Sequence, residues 1–165
     1  MAIGRFQGGV GALIWSPDKA AYLLLRRSEA KDFAPGVWEC VTGRVDQGEG
    51  FEDAVRREVR EELGVEVEID FVLGTTHFYR GAKVAENELI GIVYHCSLAD
   101  ADAVVLSQEH SELRWVTHDE ATAMLSDASV SESWLGRVLE RAVRVRRLLP
   151  PAFLALNHCT GFELG

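Results

Sequence analysis

Apolar residues alternate with polar ones, or run together, in seven short segments bounded by turn residues. These patterns are typical of half-buried and fully buried strands. Three further segments repeat apolar residues at the spacing of an amphipathic helix. The predicted strands span residues 9–15, 21–27, 37–42, 65–72, 75–80, 88–97 and 113–116, and the predicted helices span residues 51–63, 118–125 and 132–149.

The order of these elements predicts the fold class. Strands, one helix, more strands and closing helices indicate an α/β sandwich with a mixed β-sheet. The 165 residues fit one domain, and no internal repeat, low-complexity tract or linker divides them. Pro150 and Pro151 end the last predicted helix. We therefore expect a single domain over residues 1–150 and a C-terminal tail over residues 151–165, to which the sequence assigns no structure.

Composition and charge restrict the range of functions. The formal net charge of -9 disfavours a nucleic acid polymer as partner, because its phosphates repel an acidic surface. No apolar stretch approaches the ~18 residues of a membrane span, and the first residues do not read as a signal peptide. The three cysteines form no Cys-x-x-Cys pair, which favours reduced thiols. We expect a soluble cytoplasmic protein with no membrane partner.

The predicted helix over residues 51–63 carries acidic residues on its apolar side. At ~100° per residue, Glu62 falls within the apolar stripe, and Glu58 and Glu61 lie along its edge. Carboxylates at three- and four-residue spacing repel one another, and burial makes their charges costlier. A hard divalent cation such as Mg²⁺ would offset both effects. The alternative is a solvated acidic helix with ion pairs to arginine, which the spacing of Arg57 and Glu61 fits.

The segment over residues 43–65 resembles the Nudix box. Every fixed position of that motif is filled here, by Gly43, Glu49, Arg57, Glu58, Val59, Glu61, Glu62, Gly64 and Val65. The likeness extends over residues 8–148 in the order of the elements. Similarity to the Nudix hydrolases implies a Nudix-type α/β/α sandwich. It also implies hydrolysis of a phosphoanhydride bond in a small diphosphate-containing metabolite.

The resemblance implies a metal site in the box. Glu58, Glu61 and Glu62 correspond to the carboxylate ligands of Mg²⁺ or Mn²⁺, and Gly43 corresponds to a ligand through its backbone carbonyl. Metal ions neutralise the charge of a phosphoanhydride and hold the attacking water in line. The expected substrate is a nucleoside di- or triphosphate derivative or a related diphosphate.

Further catalytic roles also follow from the resemblance. Glu49 and Arg57 correspond to a pair that braces the loop against the helix and orients a carboxylate. A carboxylate must accept the proton of the attacking water, and Nudix relatives use a glutamate of the box or one of a later loop. Glu61 and Glu109 are the two candidates in this chain. An exposed acidic loop is the alternative for Glu109.

Four residues outside the box are candidates for substrate binding. Arg26 and Arg27 end a predicted strand near the expected cleft and could bind phosphate, with a plain surface pair as the alternative. Trp38 and Tyr79 could stack on a base, although aromatic residues in strands usually belong to the core. The expected partner is a small-molecule diphosphate, and the resemblance also allows a homodimer.

Two other functions occur on the fold that the resemblance implies. A ligand-sensing module that has lost hydrolysis would commonly have a damaged box, whereas this box is intact. An isopentenyl diphosphate isomerase needs a catalytic cysteine, and Cys40 before the box lacks the expected surroundings. Both functions stay open as alternatives.

Overall fold

The computed structural model describes residues 5–126 and 129–164. In this part of the chain, seven strands form one sheet: β1 (Gln7–Ser16), β2 (Ala21–Arg27), β3 (Trp38–Glu39), β4 (Val41–Arg44), β5 (Glu68–Tyr79), β6 (Glu88–Ser97) and β7 (His110–Val116). The α-helices of the same residues are α1 (Phe51–Leu63), α2 (His118–Met124), α3 (Val130–Leu148) and α4 (Pro151–Thr160). Among the described residues, no helix combines the length and the apolar character that a membrane span needs.

The sheet is mixed because one pair of neighbouring strands is parallel. The strand order is β3-β2-β1-β6-β5, with β4 paired to β1 and β7 paired to β2. β1 runs parallel to β6, from Gln7 beside Leu89 to Trp15 beside Ser97, and the other pairs are antiparallel. A parallel pair needs a long connection, and this one contains α1.

Helices cover both faces of the sheet. On one face, Val55 and Val59 of α1 are fully buried in the first apolar core. On the other face, Leu135 and Leu139 of α3 are buried in a second core. The α/β/α sandwich with a mixed sheet that the sequence predicts is therefore confirmed.

Some element boundaries agree with the prediction and others do not. The strands over residues 21–27 and 88–97 and the helix over residues 51–63 begin and end where predicted. The predicted strand over residues 37–42 is wrong as a single element, because Cys40 separates β3 from β4. β3 pairs with β2, whereas β4 pairs with β1, so the chain changes neighbours just before Gly43.

β5 corrects a second prediction. The sequence predicts two strands in this region, over residues 65–72 and 75–80, but one strand runs from residue 68 to residue 79. Its pairing with β6 shifts at residue 70 and again ahead of Gly74, as β-bulges do. The strand therefore continues through Gly74 with a bulge, although the sequence pattern predicts a break there.

The two prolines that end α3 also begin α4. Pro151 is the first residue of α4. The backbone nitrogen at this position makes no hydrogen bond within a helix, so proline is tolerated there. The Asn157 side chain of α4 donates a hydrogen bond to the backbone carbonyl of Asp70 at 2.6 Å, and Leu154 packs against the second core. Most of the segment after Pro150 is thus a helix on the domain, while the expected boundary at residue 150 stays a prediction.

A buried carboxylate on β5 connects β6 and α4. Asp70 is 2.8 Å from His95 Nδ1 and accepts a hydrogen bond from the Ser97 hydroxyl at 3.0 Å, both on β6. His158 Nε2 of α4 approaches the same carboxylate at 2.8 Å. Burial alone would raise the pKa of Asp70, but the hydrogen bonds from His95, His158 and Ser97 hold it below its ordinary value. The ionised form therefore stabilises the fold.

We expect Asp70→Asn to lower the free energy of unfolding at neutral pH by about 3 kcal/mol, because the buried donors of His95 and Ser97 lose the ionised carboxylate that they contact. A folded-state pKa below the unfolded one means that ionised Asp70 stabilises the protein above the unfolded pKa. This contribution is lost as pH falls through the folded pKa, so the deficit of Asp70→Asn should shrink below about pH 4. Urea unfolding over a pH series measures the deficit, with Asp18→Asn in an exposed turn as the control. A deficit that persists unchanged in acid would contradict this role for Asp70.

Candidate functional site

Helix α1 is fixed at both ends by residues around it. At the C-terminus, Gly64 adopts a left-handed conformation with φ 68°, and its amide donates to the carbonyl of Arg60 at 2.9 Å. At the N-terminus, Gly50 offers no side-chain cap, and the Glu163 carboxylate accepts a hydrogen bond from the amide of Phe51. A negative charge also suits this end of the helix dipole. The segment after α4 thus holds the start of the helix, a contact for which the sequence gives no signal.

A bidentate ion pair joins the loop before α1 to the helix. Arg57 donates to Glu49 Oε1 from Nε and to Glu49 Oε2 from Nη2, both at 2.9 Å. The same Nη2 donates to the carbonyl of Arg44 at 2.8 Å. The hydrogen bond from Arg57, aided by one from the amide of Asp46, lowers the pKa of Glu49 to about 2. The structure thus brings together the two residues that the sequence pairs.

Glu58 lies directly against the backbone of Gly43. A β-carbon on Gly43 would come within 1.9 Å of Glu58 Cδ, so a side chain at this position would displace the carboxylate. The amide of Arg44 donates to Glu58 Oε1 at 3.2 Å, and Arg57 Nη1 donates to the same oxygen at 2.8 Å. Burial raises the pKa of Glu58, while Arg57 acts in the opposite direction. The glycine therefore creates the space that Glu58 occupies.

Glu62 faces the interior, as its place on the apolar stripe predicts. Its side chain is 6% exposed, and its Oε2 has no hydrogen-bond partner among the described residues. Burial raises the pKa of Glu62 to about 9, and the charges of Glu39, Glu58 and Glu109 act in the same direction. A carboxyl group in such surroundings is protonated at neutral pH unless a cation approaches it.

A second polar network lies beside Glu62, and the sequence does not predict it. Arg27 Nη1 donates to Glu39 Oε1 at 2.8 Å, and His110 Nε2 is 3.0 Å from the same oxygen. His110 Nδ1 is 3.9 Å from Glu62 Oε2 and, within the described chain, has no hydrogen-bond partner. Glu39 and His110 each adjoin a predicted site residue in the sequence, which is the one signal that could have found them.

The two candidate bases are both exposed. Glu61 Oε2 is 3.3 Å from Arg57 Nη1, and its side chain is 59% exposed. Glu109 pairs with Lys31 Nζ at 2.5 Å, and its side chain is 55% exposed. The charge of Glu109 is among those that raise the pKa of Glu62. Glu109 therefore lies within electrostatic reach of the box carboxylates.

The carboxylates fit a divalent cation in their chemistry. Glu62 Oε2 is buried without a partner among the described residues. The Glu58 carboxylate lies against Gly43, whose carbonyl is also a predicted ligand. Hard oxygen donors of this kind suit Mg²⁺ or Mn²⁺. Within residues 5–126 and 129–164, no three acidic, histidine or cysteine side chains already converge as a ligand set. Binding would therefore require a side-chain rotation, for which exposed Glu61 has the most freedom.

The two arginines that end β2 make contacts with the protein itself. Arg26 Nε donates to the carbonyl of Gly36 at 3.1 Å, and Arg27 Nε donates to the carbonyl of Phe33 at 2.9 Å. The guanidinium of Arg27 is also paired with Glu39 and is mostly buried. Both side chains therefore hold the loop between β2 and β3. Phosphate binding by Arg27 would require its ion pair with Glu39 to break.

The two aromatic candidates lie on strands at opposite ends of the strand order. Trp38 of β3 packs against the second core, with the Arg114 guanidinium 5.1 Å from its ring centroid. Tyr79 ends β5, and its ring centroid is 5.6 Å from that of His77. It also lines a depression on the hairpin of β5 and β6. Both side chains are partly exposed, so each stays a candidate for stacking on a base.

Comparison with known proteins places this site in a wider context. A family model described as the NUDIX domain matches residues 5–135. The nucleoside triphosphatase NudI of Enterobacter sp. (strain 638) is 30% identical over 109 residues, which cover 62% of this chain and 77% of that protein. NudI of Salmonella schwarzengrund (strain CVM19633) is 30% identical over 110 residues, with the same two coverages of 62% and 77%.

Solved structures share the fold. The MutT protein from Methanosarcina mazei Go1 has a TM-score of 0.70 at 28% identity, over 89% of this chain and 99% of that one. The E. coli dihydroneopterin triphosphate pyrophosphohydrolase has a TM-score of 0.63 at 22% identity, over 85% and 97% of the two chains. Apart from Glu163, the site residues described above lie within the span that the family model matches.

We expect a double-mutant cycle of Glu49→Ala and Arg57→Ala to show a coupling of about 1–2 kcal/mol in the free energy of unfolding, because each change removes the same bidentate contact. Arg60 and Glu66 form a matched control pair, with Nε 2.6 Å from Oε1 but both side chains more than half exposed. Solvent screening should leave no resolvable coupling in the control. Urea denaturation measures both cycles, and equal coupling in the two pairs would contradict a brace specific to Glu49 and Arg57.

Proposed function

Given that this chain belongs to the Nudix family and is a hydrolase of acid anhydrides, we propose that it is a pyrophosphohydrolase of nucleoside triphosphates that requires Mg²⁺ or Mn²⁺. The observation that carries the metal requirement is the Glu62 carboxyl group, which is buried beside Glu58 with an unpaired oxygen among the described residues. The substrate class is supported by the two relatives at 30% identity that are named nucleoside triphosphatases.

Some residues of the box would bind the metal ion, and others hold those ligands in place. Glu58, Glu61, Glu62 and the carbonyl of Gly43 would hold the cation, whose chemistry is to neutralise phosphate charge and acidify a bound water. Arg57 keeps Glu58 in place through the 2.8 Å hydrogen bond from its Nη1. The fork to Glu49 prevents Arg57 itself from rotating away. Loosening this brace would therefore misplace Glu58 without removing a ligand.

Proton transfer from water needs an ionised carboxylate at the mouth of the site. Glu109 meets that requirement, because the hydrogen bond from Lys31 lowers its pKa. Its place in the loop before β7 would let it move over a bound phosphate, which a helix residue cannot do as freely. Glu61 is the alternative base, since it is exposed on α1 beside Arg57.

The isomerase alternative loses support at Cys40. The thiol is fully buried, and burial raises its pKa far above the ordinary value. A reactive cysteine needs thiolate character and access to solvent, and Cys40 has neither. A homodimer and a cytoplasmic location stay predictions, as does the exclusion of a nucleic acid polymer by the acidic chain.

The function is tested with a panel of nucleoside triphosphates, dihydroneopterin triphosphate, ADP-ribose and diadenosine tetraphosphate. Each compound is supplied with Mg²⁺, with Mn²⁺ or with excess chelator, and the products are identified by mass spectrometry. We expect cleavage of nucleoside triphosphates that stops in chelator. Full turnover in chelator would contradict the metal requirement, and turnover confined to the other compounds would contradict the substrate class. No turnover of any compound would favour a sensing module.

Variants in the same assay separate the roles of the glutamates. Glu62→Gln should abolish most turnover while the protein stays folded. If Glu109 is the base, Glu109→Gln should lower kcat by ~10²–10⁴-fold with an unchanged Mg²⁺ requirement, and Glu61→Gln should do so if Glu61 is the base. A raised Mg²⁺ requirement would indicate a ligand instead. Glu112→Gln is the matched control, because Glu112 pairs with Arg114 on β7. A wild-type rate for Glu109→Gln at low Mg²⁺ would remove Glu109 from the site.

A further inference from the structure

Arg80 is a half-buried arginine whose side chain has no acceptor among the described residues. It directly follows β5, and its amide donates to the carbonyl of Asn87 at 2.9 Å, which fixes its backbone across the hairpin. Its guanidinium lies 5.2 Å from the centroid of the Phe33 ring. In residues 5–126 and 129–164, the side chain of Arg80 forms neither a hydrogen bond nor an ion pair. Five N–H donors in a partly buried place are thus left for something outside the protein or for solvent.

Phe33 holds Arg80 in a defined place. The carbonyl of Phe33 accepts the 2.9 Å hydrogen bond from Arg27 Nε, so the loop that carries the ring is tied to the end of β2. A guanidinium that lies over an aromatic face keeps its N–H groups available to bind an anion. Contact with Phe33 therefore holds the Arg80 guanidinium in place without satisfying its donors.

The charges of two other arginines, Arg27 and Arg44, act on Arg80. Burial lowers the pKa of Arg80, and the positive charges of Arg44 and Arg27 lower it further, against the charges of Asp32 and Glu39. Arg27 is compensated by its pair with Glu39. Arg44 is exposed, and its amide binds the Glu58 carboxylate. Like charges held together in this way favour an anion between them.

We propose that Arg80 binds a phosphate of the triphosphate chain, with Phe33 as its positioning residue and Arg44 on the flank nearer to Glu58. The proposal rests on the proposed function for the identity of the anion. Arginine binds phosphate oxygens with two parallel hydrogen bonds, which the free edge of this guanidinium can supply. Arg80 would then contribute to the binding of the chain in the ground state and the transition state alike, which lowers KM with little effect on kcat.

The test measures binding and turnover separately in Arg80→Ala, Arg80→Lys and the wild type. Inorganic tripolyphosphate is the binding probe, titrated by calorimetry, because it presents the charged chain without a base. Arg80→Ala should weaken its binding by about 10–100-fold, the loss expected for charge-assisted hydrogen bonds. The KM for a nucleoside triphosphate should rise by a similar factor while kcat changes by less than about threefold. Arg80→Lys keeps the charge without the fork and should recover part of the loss.

Lys83→Ala is the matched control, since it removes an exposed cation from the same hairpin. It should leave tripolyphosphate binding and KM at their wild-type values. Unchanged binding and KM in Arg80→Ala, or an equal loss in Lys83→Ala, would overturn the proposal. In another outcome, the wild type hydrolyses no triphosphate, while Arg80→Ala still binds tripolyphosphate more weakly than the wild type does. That pair of results would reject the proposed function but support the anion site at Arg80. Thermal unfolding of Arg80→Ala shows whether a loss reflects the fold, and Phe33→Leu, expected to weaken binding less, then supplies an independent test.

Discussion

A carboxyl group buried beside other carboxylates must hold either a proton or a cation, and Glu62 is under this constraint. Its helix position places it in the core side of α1, and Glu58 and Glu39 are close enough to raise its pKa further. The bare protein meets the constraint with a proton, since the pKa of about 9 lies above neutral pH. A divalent cation would meet it with the carboxylate ionised. Gly43 leaves room for the Glu58 carboxylate, so a second carboxylate is available to such a cation.

Several arginines lie around Glu62 and its neighbouring carboxylates, and they differ in whether a carboxylate pairs with them. Arg57 joins Glu49 and Glu58, and therefore ties the loop to the carboxylates without entering the core. Arg27 compensates Glu39, so the second network is internally balanced. Among the described residues, neither Arg80 nor Arg44 has a counter-charge within ion-pair distance. The proposed substrate, a triphosphate with a bound metal ion, would supply both a cation for the carboxylates and an anion for these arginines.

The sequence predicts those features that depend on neighbours within one element. The periodicity of α1 placed Glu62 on the buried side, and the resemblance to the Nudix box, whose fixed positions include Glu49 and Arg57, indicated the brace. Contacts that depend on the pairing of distant strands were not predictable in the same way. Glu39 and His110 meet because β3 and β7 both pair with β2, and local patterns do not show which distant strands become neighbours. The segment after α4 was not predictable either, because its Glu163 caps α1 through a contact between residues more than a hundred positions apart.

The most direct measurement is the number of protons released when the protein binds Mn²⁺ or Mg²⁺ near neutral pH. Calorimetric titration in buffers of different ionisation enthalpy gives this number. We expect the wild type to release about one proton per bound ion, because the ligand carboxylates must be ionised and Glu62 starts protonated. Release should fall towards zero as pH rises past the pKa of Glu62. Tight binding without proton release at neutral pH would show that Glu62 is already ionised in the bare protein, and would contradict the central role given to its burial.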